Sequence, residues 1–144
     1  MLQYKEKLYS WAMEIINVNS IDNKNLKIFL KLAVINTLAK CPKEINAKIW
    51  PIKEVADILE ELSKEDFDSP ERVSSNFYCS FFNTRGMRTI GNGEEEFVLN
   101  EEYLAYKDYY DVSHPVVATA LGYIANGYKE EGEMDKRWYL FGEY

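Results

Sequence analysis

Apolar residues recur along this chain with the 3.6-residue period of helices. The first such stripe is Leu8, Trp11, Ala12, Ile15 and Ile16, which predicts a helix over residues 2–18. Residues 17–25, with four Asn, Ser20 and Asp22, read as a turn, and Asp22 is suited to cap a second helix reaching about Lys40. The apolar face expected there is Leu26, Phe29, Leu30, Ala33, Thr37 and Leu38, with Lys24, Lys27 and Lys31 as a solvated basic stripe on the other side. After Pro42 the alternation of Ile45, Ala47 and Ile49 predicts a brief extended segment. Pro51 is suited to a first helical position, and Ile52, Val55, Ala56, Leu59 and Leu62 continue as a third helical stripe ending near Ser63. Lys64 to Asp68 form a charged turn. Ser69, Pro70 and Glu71 then supply the cap, the first position and the dipole-favoured acid of a fourth helix reaching about Thr84, with Gly86 as its stop.

From Met87 the period changes. Residues 87–90 and 95–99 are short β-prone runs on either side of Gly91, Asn92, Gly93 and Glu94, and a central Asn-Gly favours a type I′ turn because both positions take positive φ. A hairpin is expected. Asn100, Glu101 and Glu102 then open a fifth helix through Tyr110, and Ser113, His114 and Pro115 a sixth to about Asn126, stopped by Gly127. The aromatic tail Trp138 to Phe141 is expected to pack back on the body.

At 144 residues the chain is expected to form one domain, with residues 1–18 as an N-terminal helix, 22–100 as a core and 101–144 as a helical extension. The longest apolar runs are interrupted by Lys, Asn or Glu every few positions, well short of the roughly 20 residues of a membrane span. Charge across Met1 to Tyr9 argues against an export signal, so a cytoplasmic protein is expected. Cys41 and Cys79 are read as reduced, buried thiols. His114 has no Cys or His at ligand spacing, so neither a metal nor another cofactor is expected.

Charge changes the picture more than composition does. Residues 1–64 carry 10 Lys and Arg against 8 Asp and Glu, a balance of +2, whereas residues 65–144 carry 7 against 16, a balance of −9. A chain this acidic in its C-terminal half binds DNA only through a local basic patch.

The order helix, extended segment, helix, turn, helix and Asn-Gly hairpin over about residues 25–100 resembles the winged helix-turn-helix domain. The resemblance is one of fold alone, without a signature that assigns a particular family. It implies a mainly α protein with a small β-hairpin, a winged-helix-like core and additional N- and C-terminal helices. It also implies DNA binding, with the helix over 70–84 in the major groove and residues 87–99 as the wing. On that helix Val73, Phe77 and Phe81 would anchor the core. Ser74, Ser75, Asn76 and Tyr78 would face bases or phosphates, with Arg72, Arg85 and Arg88 as the cations. The competing placement of Tyr78 and Phe82 is under the terminal helices, as core.

Glu94, Glu95 and Glu96 beside the wing turn would repel phosphate. They favour a second reading, an acidic interaction or inhibitor protein of the kind mobile elements direct at host systems, binding a protein and never DNA. Its expected interface draws on Trp11, Ile15, Phe82, Glu94, Glu95, Glu96 and Leu121. Ala118 and Gly122, one turn apart, would let another helix approach, and a homodimer through the terminal helices is expected. A catalyst is not: the lone His precedes Pro115, the acids lie on polar faces and turns, and Gly91 and Gly93 lack the Lys and Ser or Thr of a phosphate loop.

Overall fold

Six helices make up a computed structural model that describes residues 2–16, 24–64 and 69–142. They are α1 (Leu2–Ile16), α2 (Lys24–Leu38), α3 (Lys53–Ser63), α4 (Pro70–Thr84), α5 (Glu94–Tyr110) and α6 (Pro115–Phe141). The expected Asp22 cap, the end of the first helix and most of the charged turn over 64–68 fall outside the described residues. Among the described residues no helix is long and apolar enough to cross a membrane.

The frame is an antiparallel hairpin of α5 and α6. Its register is set by Gly93 against Gly132, by Asn100, whose side-chain amide donates to Ala125 O at 2.7 Å, and by Lys107 against Gly122. Onto this hairpin α4 packs parallel to α6, with Ser74 beside Val116 and Phe82 against Gly127. Helices α1, α2 and α3 complete the far side through Ala12, Val34, Ile35, Val55, Ile58 and Leu59, all buried.

Trp50 lies where these layers meet. Its ring is within 5.4–5.7 Å of Phe77, Phe81 and Tyr103, distances at which aromatic pairs add about 0.5–1.5 kcal/mol beyond burial. The irregular segment 41–52 is fastened by side chains. Trp50 Nε1 donates to Cys41 O at 3.1 Å, Tyr106 OH to Ala47 O at 3.1 Å and Tyr110 OH to Pro51 O at 2.5 Å.

The structure overturns the mainly α fold with a hairpin wing. Among the described residues there is no strand: 87–91 is irregular, and Glu94 to Leu99 are the first turns of α5. The winged-helix-like core therefore does not form. Two local signals compete at this point. Asn92 Oδ1 accepts the Glu94 amide at 3.1 Å and Gly93 takes φ 93°, so the Asn-Gly pair serves as a helix start instead of a hairpin turn. Glu94, Glu95 and Glu96 then sit in the first turn, where the helix dipole favours acids.

Other boundaries move for related reasons. The expected extended segment at Ile45 to Ile49 is turn and bend, with Ile45 in solvent. The third helix begins at Lys53, two residues after Pro51. Gly127 does not stop α6: it lies buried mid-helix because Phe82 fills the space a side chain would need. The tail from Trp138 to Phe141 belongs to α6 and is exposed instead of packing back.

In α2 the buried face is Lys31, Val34, Ile35 and Leu38, while Leu26, Phe29, Ala33 and Thr37 are exposed. Apolar residues surround most of that helix, so periodicity alone does not select the face its neighbours cover. The cysteines, expected to be buried, are not: Cys79 is exposed and Cys41 half-buried.

Candidate functional site

α4 begins as its sequence dictates, with the Ser69 hydroxyl accepting the Arg72 amide at 3.2 Å and Pro70 at the first position. Its expected DNA-contacting residues divide into two groups. Ser74 is buried, and its hydroxyl donates to Val116 O at 2.7 Å. Tyr78 and Phe82 are half-buried under α6, with Tyr78 at 5.9 Å from Tyr123 and Phe82 at 5.3 Å from Tyr128. Arg72 is exposed and Ser75 and Asn76 are partly so. Asn76 donates to Arg72 O at 2.8 Å and lines a groove of about 570 Å³ with Asn36, Lys40 and Asn83 between α2 and α4.

Arg85 and Arg88, the remaining expected phosphate contacts, are bound within the chain. Arg85 meets Glu131 through two bonds of 2.9 and 2.7 Å, and its guanidinium lies 4.5 Å above the Phe82 ring. Arg88 takes Asp135 through bonds of 2.7 and 2.8 Å and reaches Glu96 at 3.1 Å and Glu131 at 3.4 Å. The Gly91 amide also donates to Asp135, at 3.3 Å. These carboxylates hold both arginines above the usual guanidinium pKa, through hydrogen bonding first, against the opposing effect of burial.

Turning Glu96, Glu131 and Asp135 inward leaves another set of acids outward. Along α5 the positions Glu94, Val98, Glu101, Ala105 and Asp108 alternate in steps of four and three and are all exposed. Their acids recur every seven residues, about 10 Å apart along the axis at 1.5 Å per residue. Glu95, Leu104 and Tyr109 flank them, also exposed, while Lys107 pairs with Asp111 at 3.2 Å. This face is absent from the sequence-based candidates except for Glu94 and Glu95. Its spacing is legible only once the helix is known to begin at Glu94 and not at Asn100.

The other expected interface residues are scattered. Trp11 is exposed on α1, Ile15 packs at the edge of the core, Phe82 lies under α6, and Glu96 and Leu121 are buried. With Val117 and Ile124 also in the core, this part of α6 faces its own chain, and the Lys107 stem lies over Gly122.

Ser113, His114 and Asp57 come together at the start of α6. His114 Nδ1 is 2.7 Å from Ser113 Oγ and Nε2 is 2.7 Å from Asp57 Oδ1. Asp57 also accepts from Lys53 at 3.1 Å, and Glu60 accepts the Val117 amide at 3.0 Å. Burial pushes the Asp57 carboxyl up, but hydrogen bonds from His114 and Lys53 outweigh it, and the group stays below its usual value. The first turn of α6 thus meets two carboxylates of α3, and the amide that could face an oxyanion already donates to one of them. The arrangement ties two helices together.

No protein-family model, no curated protein and no solved structure matches this chain.

Proposed function

We propose that this chain is a non-enzymatic acidic interaction protein, acting in the cytoplasm, that docks the outer face of α5 against a basic surface of a protein partner. One observation carries the reading: Glu94, Glu101 and Asp108 stand exposed in a row with Val98 and Ala105 between them, while Arg85 and Arg88 turn inward to Glu131 and Asp135. Acids steer a cationic surface into place and the apolar positions between them supply contact area. A nucleic-acid groove of another protein is one such surface, and an inhibitor of mobile-element type that fills it falls within this reading.

The test is capture of a stoichiometric partner by the purified chain, followed by reconstitution with that partner and titration in rising salt. Binding that weakens with salt and is lost in Glu101→Lys with Asp108→Lys supports the proposal. Binding unchanged by that pair refutes it.

A second reading, duplex DNA bound through α4, rests on the accessible edge Arg72, Ser75 and Asn76 beside the groove with Asn36, Lys40 and Asn83. It requires an affinity for generic duplex that falls steeply with salt and is lost in Arg72→Ala with Lys40→Ala.

A further inference from the structure

The inward stripe of α6 runs Leu121, Ala125, Tyr128, Gly132 and Asp135, all buried, and the next position in the same rhythm is Tyr139. At 1.5 Å per residue α6, with 27 residues, is about 40 Å long, whereas α5, with 17, is about 25 Å. Because Gly93 at the start of α5 lies level with Gly132, the last turns of α6 extend past the hairpin. There the helix becomes apolar on nearly every side through Trp138, Tyr139, Leu140 and Phe141, with Met134 one turn earlier. Tyr139 and Phe141 are each 70% exposed and Leu140 57%. A helix apolar all round is a buried helix, so this end is built to be covered.

We infer that the occupant is a second copy of this chain, the two α6 ends crossing antiparallel about a two-fold axis. The area fits. With aromatic side chains of about 150–250 Å² each, the five apolar residues expose roughly 550 Å². That is near the top of the range for the largest patch on a monomer. The exposed charged residues beside them bring the surface to the order of the 800 Å² that each partner gives to a standard interface.

The charge order fits as well. Glu130 and Glu133 precede the apolar turns, Lys136 and Arg137 lie within them, and all four are exposed. A two-fold crossing near Met134 sets the acidic pair of each copy against the basic pair of the other, as an isologous interface requires. The segment is neutral over these four residues, in a chain of formal charge −7 that otherwise repels its copies. This inference is independent of the α5 face, and the charge reversals of that face leave it untouched.

Sedimentation equilibrium on the full chain over a concentration series tests it. The expected mass rises from 16.9 kDa toward twice that value. Tyr139→Glu with Phe141→Glu, both at exposed positions, weakens the dimer at least tenfold while the far-UV circular dichroism stays that of the parent. Glu130→Lys with Glu133→Lys also weakens it, and adding Lys136→Glu with Arg137→Glu restores it. A chain that stays monomeric throughout overturns the inference, and so does a dimer indifferent to Tyr139→Glu with Phe141→Glu. Charge exchange that fails to restore association overturns the antiparallel crossing.

Discussion

Arg88, in the irregular segment before α5, holds Asp135 of α6 through two bonds of 2.7 and 2.8 Å, and the Asp135 side chain has no exposed surface. A buried carboxylate is tolerated only while it is paired. The pair therefore fixes segment 87–91 against α6 and places Gly93 where α5 can begin.

Removing one partner exposes the cost of that arrangement. Arg88→Ala takes from buried Asp135 and Glu96 the guanidinium that offsets their charge and is expected to lower stability by about 3–5 kcal/mol in urea unfolding. Arg88→Met with Asp135→Leu recovers only part of the loss, because it removes the buried Asp135 carboxylate but leaves buried Glu96 without its Arg88 partner. Arg85→Ala costs less than Arg88→Ala, since Glu131 keeps Arg88 at 3.4 Å and is itself partly exposed.

The start of α5 depends on two glycines in contact. A Cβ on Gly93 would collide with the Gly132 carbonyl oxygen, and its φ of 93° is unfavourable for any side chain. Gly93→Ala is expected to cost more than the roughly 1–3 kcal/mol of such a backbone conformation alone. Gly132→Ala, whose Cβ would stand 3.1–3.2 Å from Phe97, Glu96 and Gly93, is expected to cost less. Thermal unfolding of the two variants checks the order, and equal losses would contradict the contact.

Acid stability reports the ties between α3 and α6 and between Lys43 and α5. Asp57 and Glu102 both lie below their usual pKa although burial opposes this. His114 and Lys53 hold the first, and Tyr106 and Lys43 the second. Each contribution is present above the unfolded-state value and is lost as pH falls through the folded one. Stability is therefore expected to fall on acidification below about pH 4. Asp57→Asn should flatten that limb, as urea midpoints measured against pH would show.

The alkaline side is governed by tyrosines. Burial pushes Tyr103, Tyr106 and Tyr110 well above the ordinary phenol value. A raised folded pKa means that their contribution is complete below about pH 10 and is lost as pH climbs toward the folded values. Absorbance at phenolate wavelengths should show these three ionising only together with unfolding.

The acidic face should be separable from the fold. Glu101→Lys with Asp108→Lys changes exposed positions and is expected to move stability by less than about 0.5 kcal/mol, while abolishing a basic partner's binding in the same salt-series titration.

Much of the helical content was legible from residue order. The stripe Val55, Ala56, Leu59, Leu62 and the Ser69-Pro70-Glu71 start are local signals, written within one or two turns, and they survive unchanged as α3 and the cap of α4. So is the excess of acid after residue 64. Asn92-Gly93 was a local signal with two outcomes, since positive φ serves a hairpin turn and a helix cap equally. The choice fell to contacts made over more than thirty residues, with Gly93 seated on Gly132 and Arg88 bound to Asp135. The same holds for the arginines, whose charge could be counted in advance but whose partners could not. Which side of α2 is covered, whether Gly127 ends a helix and which acids stay in solvent depended on neighbours distant in sequence. Local periodicity describes one helix at a time, and only packing decides which of its faces another helix will take.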